Sequence, residues 1–361
     1  MKTTADLRAH YSTIIVGAGP AGSTLARRLA DKEKDILLID GSPLRGEKVC
    51  AGLISPDAQD LLARYDITLP GTVLSSPQIF SVRTIDLTTR QARHYRRSYV
   101  NVNRAKFDAF LLSLVPDTVD VISALCLRAE REENGFSLLL KTQNGEKKVS
   151  CGRLVGADGA SSIVRKSLFP NKKIKRYVAI QQSFRAEGED PYYSCVFDSC
   201  TSPSCSWIFF KDGMLVFGGA FENKHPRDAF EEQKAKLVSL GTVSENIFKE
   251  PIKTQACTVL RPKLSGGIFN GANGAFLIGE AAGFISPSSL EGISYALASA
   301  EALFEAFSRG GSTRQAQRLY KHKTIKLRLK IALKCVKRPF MYNPLLRRLI
   351  LASGAGSIKI K

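Results

Sequence analysis

Short apolar runs and a helical pattern follow one another at the start of the chain. Residues 13–16 are apolar or β-branched and end in a glycine-rich turn, a helical pattern covers Ser23 to Ala30, and a second apolar run covers residues 36–39. A buried strand, a helix and another buried strand in this order are typical of a βαβ unit with parallel strands. The start of the chain therefore predicts the first half of a Rossmann-type sheet.

Strand and helix patterns continue through the rest of the chain. Alternating segments are typical of strands, and Asn144-Gly145 and Lys211-Asp212-Gly213 are typical hairpin turns between them. The predicted strands lie within residues 78–99, 119–128, 136–142, 147–155, 177–220, 254–260 and 275–278. The predicted helices cover residues 58–65, 101–114, 163–168, 227–240 and 294–307.

The order of these elements predicts an α/β fold with two interleaved domains and a tail. The expected segments are 1–75, 100–170 and 261–310 for a nucleotide-binding domain, 76–99 and 171–260 for a mixed β-sheet substrate domain, and 311–361 for a basic helical C-terminal tail. A chain of 361 residues is long enough for both domains.

The net charge of +20 is concentrated in that tail. No Asp or Glu occurs from Phe307 to Lys361, whereas fifteen Lys and Arg lie between Arg309 and Lys361. Residues 315–337 are predicted to form one helix, with Ile325, Leu329, Ala332 and Val336 on one face. We expect residues 314–351 to contact an anionic membrane surface, which attracts basic amphipathic helices.

Two other interpretations of the tail remain open. The helix can instead pack on the nucleotide-binding domain with its charged face in water. Nucleic-acid binding is not favoured, because the basic run lacks the interleaved aromatic residues that stack on bases.

The cysteines and the apolar runs indicate where the protein works. Eight cysteines are scattered without a CxxC pair, so we expect free thiols in a reducing compartment and no metal site. The N-terminus lacks the layout of a signal peptide, and no apolar run is long enough to span a bilayer. We expect a cytoplasmic protein, with peripheral contact to the inner face of the cell membrane as an option.

The glycine-rich turn after the first strand carries the clearest chemistry. Gly17-Ala18-Gly19-Pro20-Ala21-Gly22 has the spacing G-x-G-x-x-G between a strand and a helix. Gly17 allows the tight turn, Gly19 lets a pyrophosphate approach the backbone, and Gly22 lets helix and strand pack closely. Asp40 follows about twenty residues later, where an acid holds ribose hydroxyls. The pattern predicts dinucleotide binding.

Three further motifs follow in order. They are Arg104 with Phe107-Asp108, then Gly156-Ala157-Asp158-Gly159, then Gly279-Glu280-Ala281-Ala282-Gly283 leading to Glu291-Gly292-Ile293. The series resembles the FAD-dependent oxidoreductases of the para-hydroxybenzoate hydroxylase fold, particularly their geranylgeranyl reductase branch. The resemblance spans residues 12–305 and implies a GR2-type Rossmann domain that binds FAD.

The resemblance also implies which residues contact the cofactor. The expected FAD-binding residues are Gly17, Ala18, Gly19, Ala21, Gly22, Asp40, Arg104, Asp158, Gly159, Gly279, Glu280, Gly283, Gly292 and Ile293. Glu280 stands where the family has Asp, so the carboxylate is kept on a longer side chain. An ordinary Asp-Gly turn is the alternative for Asp158-Gly159, and a surface arginine at a helix start is the alternative for Arg104.

Cys50 and Trp207 are the candidate catalytic residues. The run Lys48-Val49-Cys50-Ala51-Gly52 is similar to the K-x-C-G-G element of the reductase branch, whose cysteine lies beside the flavin at the substrate cavity. A buried bystander thiol is the alternative. Trp207 belongs to a partial match to the branch's Y-x-W-x-F-P motif, which favours an apolar cavity wall.

The resemblance implies a reductase that delivers hydride from reduced flavin to a double bond of an apolar, isoprenoid-like substrate. The chain has no second nucleotide-binding motif, so the sequence does not identify the electron donor. NAD(P)H and another reductant are both open. A flavin monooxygenase of the same fold is the alternative enzyme. A membrane-peripheral binding or regulatory protein that retains FAD structurally is the alternative from another class.

Overall fold

The computed structural model describes residues 7–41, 48–188 and 190–358. Its strands are β1 His10–Val16, β2 Ile36–Asp40, β3 Leu53–Ile54, β4 Ile79–Asp86, β5 Gln91–Asn101, β6 Asp120–Ser123, β7 Leu125–Glu132, β8 Gly135–Thr142, β9 Gly145–Gly156, β10 Arg176–Arg185, β11 Tyr192–Phe197, β12 Ser206–Lys211, β13 Met214–Phe221, β14 Pro251–Leu260, β15 Gly271–Ala272, β16 Ala275–Leu277 and β17 Ser357–Ile358. Its helices are α1 Pro20–Leu29, α2 Pro56–Arg64, α3 Arg104–Ser113, α4 Ile163–Leu168, α5 Pro226–Ser239, α6 Glu245–Phe248, α7 Ile293–Ser308, α8 Thr313–Lys323, α9 Ile325–Tyr342 and α10 Pro344–Ser353, with short 3-10 turns at Gly71–Val73 and Gly279–Ala282.

The first sheet is built around parallel strands. Its order is β15-β16-β9-β1-β2-β6, and β7 and β8 extend it beyond β9 as an antiparallel meander. Strands β16, β9, β1, β2 and β6 all run parallel, so their carboxyl ends meet at one edge. This confirms the predicted Rossmann-type α/β architecture, whose strands come from three separate stretches of the chain.

Burial explains why these strands are apolar throughout. All residues of β2 are buried, as are Ile14 and Ile15 of β1 and Leu277 of β16. Helices α1 and α7 pack on each other and share the same hydrophobic core with these strands. Strands covered on both faces read as continuous apolar runs rather than as alternating ones.

The second sheet is mixed, as the sequence predicts. Its order is β14-β10-β13-β12-β11-β4-β5-β17, with β3 pairing to β5. Strands β4 and β11 run parallel, and the other pairs are antiparallel. A separate core between this sheet and helices α5 and α6 includes Phe184, Phe217, Phe230 and Phe248. The exact domain boundaries stay predictions.

Both predicted hairpins form, but the turn between β8 and β9 consists of Gln143 and Asn144, because Gly145 is the first residue of β9. Asp212 and Gly213, with φ of +50° and +72°, make the turn between β12 and β13, and positive φ at both positions is typical of hairpin turns. Lys211, which the sequence pattern places in this turn, is instead the last residue of β12. Its ammonium group contacts the loop that carries Cys50.

The tail is not one helix, and the prediction of a single helix over residues 315–337 is wrong. The helix is interrupted at Thr324, whose hydroxyl bonds back to the Tyr320 carbonyl and accepts from Asn270 Nδ2 at 2.9 Å. Thr324 is buried, so this tertiary contact fixes the break. Helix α9 then packs against α7, and α10 packs against strands β4 and β5. Strand β17 pairs with β5.

Candidate cofactor and substrate site

The turn between β1 and α1 has the geometry that its glycines predict. A Cβ on Gly22 would lie 1.8 Å from the Gly17 carbonyl oxygen, so only glycine allows helix and strand to approach this closely. Gly17 has φ of +107°. At Gly19, by contrast, a Cβ would meet no described atom within 4 Å. The backbone at Gly19 is therefore open to a ligand.

Four parallel strands bring the predicted motifs to a common edge. Leu277 pairs with Gly156, Gly156 with Val16, and Val16 with Ile39, so the residues that follow these positions are neighbours. Those residues include Gly17, Asp40, Ala157 and Gly279. Gly279 is also close to helix α1, because its Cβ position lies 3.1 Å from Ala21 Cβ. Dinucleotides bind at this edge in doubly wound folds.

These residues fit a dinucleotide. Helix α1 begins with Pro20, and within the described chain no side chain caps its N-terminus and no acid occupies its first turn. The unpaired N–H groups and the positive end of the helix dipole suit a pyrophosphate. Ala18 and Ala21 are buried beside them, and Asp40 is buried at the end of β2. The predicted contacts remain predictions, but the cradle for them is present.

Asp158 makes a structural contact at the end of β9. Its Oδ2 accepts hydrogen bonds from the backbone N–H of Ile163 at 2.6 Å and of Val164 at 3.3 Å, at the start of α4. Burial raises the pKa of this carboxyl group. Its Oδ1 has no hydrogen-bond partner among the described residues. Gly159 has φ of +71° in the same turn. One carboxylate oxygen thus serves the fold, and the other is buried.

Glu280 has protein donors on both carboxylate oxygens. Its Oε1 accepts from the backbone N–H of Leu260 at 2.8 Å, and its Oε2 lies 2.5 Å from Lys48 Nζ. The Glu280 side chain is 6% exposed, whereas that of Lys48 is 42% exposed. The Glu280 carboxylate therefore reaches the loop of Cys50 with one oxygen and the end of β14 with the other. Contact with a ribityl chain has to share these oxygens.

The loop before α7 combines glycines with a carboxylate. Gly283 has φ of +87°, and a Cβ there would lie 2.2 Å from the Gly267 carbonyl oxygen. Gly292 and Ile293 stand at the start of α7 as predicted, but Glu291 accepts from the Ser294 backbone N–H at 2.8 Å and from its hydroxyl at 2.7 Å. The Glu291 carboxylate therefore already accepts from one of the free N–H groups at the start of α7, a contact that the sequence pattern did not reveal.

Cys50 and Arg104 lie together. The Arg104 guanidinium lies beside the Cys50 thiol, and its Nε donates to Asp108 at 2.7 Å. The Cys50 sulfur also accepts from the Gly52 backbone N–H at 3.4 Å. Arg104 is therefore not a free surface arginine. It links the start of α3 to the predicted catalytic cysteine.

Lys211 is a site residue that was not predicted from the sequence. Its Nζ donates to the carbonyl oxygens of Ala51 at 2.7 Å and Val102 at 2.6 Å, and so ties β12 to the loop of Cys50. Burial lowers the pKa of this amine to about 8. A signal was present in the sequence, because Lys211 continues the alternation of Trp207 and Phe209 on one face of the strand.

Trp207 lies on the same face, in the middle of the second sheet. Its Nε1 donates to Gln181 Oε1 at 3.1 Å, and its indole ring covers Gly218, where a Cβ would lie 2.5 Å from the ring. The ring of Phe209 is 6.0 Å from that of Tyr193. The face is therefore aromatic near Trp207 and cationic at Lys211, toward the loop of Cys50.

Comparisons with known proteins agree with this architecture. The family model described as lycopene cyclase protein matches residues 13–185. Protein CbrA of Escherichia coli O157:H7 is 42% identical over 357 residues, which cover 97% of this chain and 98% of that protein. Protein CbrA of Shigella dysenteriae serotype 1 is 42% identical over 356 residues, with 97% and 98% covered.

Solved structures share the fold at lower identity. A geranylgeranyl bacteriochlorophyll reductase-like protein from Thermoplasma acidophilum has a TM-score of 0.77 at 20% identity, covering 94% of this chain and 90% of that chain. The p-nitrophenol 4-monooxygenase of Pseudomonas putida DLL-E4 has a TM-score of 0.71 at 12% identity, covering 97% and 95%. The fold is thus one that reductase-like proteins and flavin monooxygenases have in common.

Proposed function

This chain belongs to the CbrA family, and from that membership and its fold we propose that it is an FAD-dependent oxidoreductase. The observation that carries the proposal is the convergence of Gly17, Asp40 and Gly279 at one sheet edge, with open space over Gly19. Such an edge, at the N-terminus of a glycine-led helix, is built for a dinucleotide.

In this proposal the first-sheet residues hold FAD. Gly19 leaves room for the pyrophosphate, Gly17 and Gly22 allow the tight turn that presents it, and Asp40 accepts hydrogen bonds from the adenosine ribose. Arg104 is a further cation beside the Cys50 loop. When bound, FAD supplies the hydride chemistry, and the protein supplies binding, orientation and a dry pocket.

We assign the reaction as reduction of a double bond in an apolar, isoprenoid-like substrate. Such a reduction adds a hydride to one carbon and a proton to the other. Cys50 is the proton donor in this scheme, because it carries the transferable proton of the loop that Lys48 joins to Glu280 at the predicted cofactor edge. Lys211 joins the Cys50 loop, through the Ala51 carbonyl, to the segment before α3, through the Val102 carbonyl, and is a positioning residue. Trp207 and Phe209 supply an apolar wall.

A flavin monooxygenase is the second candidate. The similarity to the p-nitrophenol 4-monooxygenase, with a TM-score of 0.71, favours it to the extent that a shared fold can. A protein that keeps FAD structurally is the candidate from another class, and it is suggested by the engagement of both Glu280 oxygens by Lys48 and Leu260. The three candidates differ in what the bound flavin does.

One set of measurements separates them. The FAD-loaded protein is titrated anaerobically with NADPH and then with dithionite, and oxygen uptake is followed with isoprenoid substrates. Bleaching by NADPH or dithionite, followed by reoxidation on adding an isoprenoid without oxygen, supports the reductase. Oxygen consumption coupled to substrate supports the monooxygenase instead. Flavin that neither donor nor substrate turns over supports the structural role and contradicts an enzyme.

A further inference from the structure

We propose that the solvent side of helices α9 and α10 is a docking face for an anionic lipid bilayer. The docking face consists of the exposed apolar side chains Ile325, Leu329, Leu333, Val336, Phe340, Leu345, Leu346, Leu349 and Ile350. Leu333 and Leu345 are the most open of them, at 70% and 71% exposed. No part of the proposed flavin chemistry requires this face.

The fold does not account for these side chains. Helix α9 already has a second apolar stripe, Leu327, Ile331 and Cys335, which packs against the core of the first sheet. Of the fifteen large hydrophobic side chains that are exposed in the described residues, nine belong to the docking face. Exposed apolar side chains concentrated on two neighbouring helices in this way mark an interaction site.

The helices are held firmly beneath this face. Arg347 Nε lies 2.7 Å from Asp86 Oδ2, and both side chains are buried. Lys330 Nζ lies 2.6 Å from Asp57 Oδ2. The Asn343 side chain accepts hydrogen bonds from the backbone N–H groups of Leu345 and Leu346, and so caps the start of α10. The apolar residues are therefore presented by a braced surface rather than by a loose tail.

The positive charge around the docking face favours an anionic partner. Exposed Lys326, Lys337 and Arg348 flank the docking face, and no acid occurs between Phe307 and Lys361. Two copies of so basic a face would repel each other, whereas anionic headgroups would attract it. Apolar residues combined with cations at the edge are what an interfacial helix presents to a membrane. No helix within the described ranges is long and apolar enough to cross a bilayer, so the contact is with its surface.

A groove beside α9 extends the docking face. It has a volume of about 330 Å³ and is lined by Leu264, Ile325, Leu329 and Ala332, with Lys263 and Arg328 among its walls. Leu264 is 66% exposed and continues the apolar surface across the groove. The acyl chain of a phospholipid fits such a lining, with the lipid phosphate beside Lys263 and Arg328.

The docking face is also connected to the candidate site. Tyr342 at the end of α9 donates to the Ser288 carbonyl at 2.6 Å, and Lys334 Nζ donates to Ser286 Oγ at 3.4 Å. Both contacts are to the loop that leads into α7. A lipid-like substrate would thus be delivered from the surface on which the protein docks, and only this delivery rests on the proposed function.

Vesicle co-sedimentation of the full chain tests the proposal. We expect binding to vesicles of phosphatidylcholine with phosphatidylglycerol, weaker binding at high salt, and little binding to phosphatidylcholine alone. Leu333→Ser with Phe340→Ser should lower the partition coefficient at least about tenfold, since each loses most of the transfer energy of a large apolar side chain. Lys326→Gln with Lys337→Gln should lower it about fivefold and weaken its salt dependence.

Matched controls are available on the surface of the second sheet. Phe80 and Ile252, at 67% and 56% exposed, are as open as Phe340 and Ile350, so Phe80→Ser with Ile252→Ser should leave vesicle binding unchanged. Equal loss in this control would overturn the proposal. So would the absence of any anionic-vesicle binding, or a dimer in solution that Leu333→Ser converts to a monomer. Flavin content measured on the same samples reports separately on the proposed function.

Discussion

Lys48 Nζ lies 2.5 Å from Glu280 Oε2, although the two residues are 232 positions apart in the chain. Lys48 lies in the loop that carries Cys50, and Glu280 belongs to the turn that follows β16 at the edge of the first sheet. The ion pair therefore connects the predicted catalytic loop to the predicted cofactor edge.

Removal of the Lys48 ammonium should destabilise the protein. Lys48→Met leaves the Glu280 carboxylate, 6% exposed, without its cation. We expect a loss of about 1–2 kcal/mol in the free energy of unfolding, below the cost for a fully buried pair because Lys48 is 42% exposed. Urea unfolding of the flavin-free proteins measures it.

The matched variant is Lys48→Met combined with Glu280→Gln. The amide oxygen that Glu280→Gln introduces can still accept from the Leu260 N–H, but no buried charge is left without a partner. The double variant should therefore be more stable than Lys48→Met alone. Strictly additive losses from the two substitutions would show that the pair has no coupling.

Gly19 offers a substitution that separates cofactor binding from folding. A Cβ at Gly19 meets no described atom within 4 Å, so Gly19→Ala should fold with an unchanged melting temperature. The same methyl group occupies the space assigned to the pyrophosphate, and we expect the dissociation constant for FAD to rise at least about tenfold. Isothermal titration with FAD provides the measurement.

Gly71→Ala is the control for that experiment. Gly71 also has no described atom within 4 Å of its Cβ position, but it lies in a short 3-10 turn away from the sheet edge. This variant should bind FAD as the wild type does. If Gly19→Ala also binds FAD normally, the pyrophosphate does not lie against Gly19.

Asp158 has a capping role that can be distinguished from a cofactor role. Asp158→Ala removes the acceptor for the Ile163 and Val164 N–H groups and should cost about 1 kcal/mol of stability, whereas Asp158→Asn keeps an oxygen there and should cost less. Thermal unfolding of both variants is the measurement. Slower reduction by NADPH in Asp158→Asn, at unchanged stability, would indicate a role in nicotinamide handling as well. If Asp158→Ala is as stable as the wild type, the capping contact is energetically unimportant.

Lys211 makes the stability depend on alkaline pH. Burial lowers its pKa from 10.5 to about 8 in the folded protein, so between these values the unfolded chain binds the proton and the folded protein does not. The contribution of Lys211 to the free energy of unfolding therefore rises as the pH increases from 8 toward 10.5. The neutral amine still donates to Ala51 and Val102.

The comparison variant for this effect is Lys211→Met, which does not titrate. Urea unfolding at about pH 7.5 and about pH 9.5, on either side of the folded-state pKa, should show the wild type gaining stability relative to Lys211→Met at the higher pH. A difference in stability that is the same at both pH values would mean that the folded-state pKa of Lys211 is not lowered.

Local patterns accounted for most of the fold. The G-x-G-x-x-G turn, Asp40 and the helix over 163–168 depend on neighbouring residues, and the structure has them where the sequence predicts. The predicted Asn144-Gly145 hairpin forms one residue earlier, with Gln143 and Asn144 in its turn. The common edge followed as well, because parallel strands necessarily place their carboxyl ends together.

Contacts between distant residues could not be predicted in this way. The Lys48–Glu280 pair, the buried Lys211 amine and the Asn270–Thr324 bond that divides the tail helix each depend on how separate elements pack. The pattern of residues 315–337 is helical throughout, so nothing local marks the break at Thr324. Glu291 at the start of α7 was likewise visible in the sequence, but its capping geometry was not.

The flavin content of the purified protein tests the central claim most directly. The protein is purified gently, its absorbance spectrum is recorded, and the spectrum is recorded again after incubation with FAD and removal of the excess. We predict one bound flavin per chain in the wild type and a clear deficit in Gly19→Ala. A folded wild-type protein that carries no flavin and takes up none would contradict the assignment of this chain as an FAD-dependent oxidoreductase.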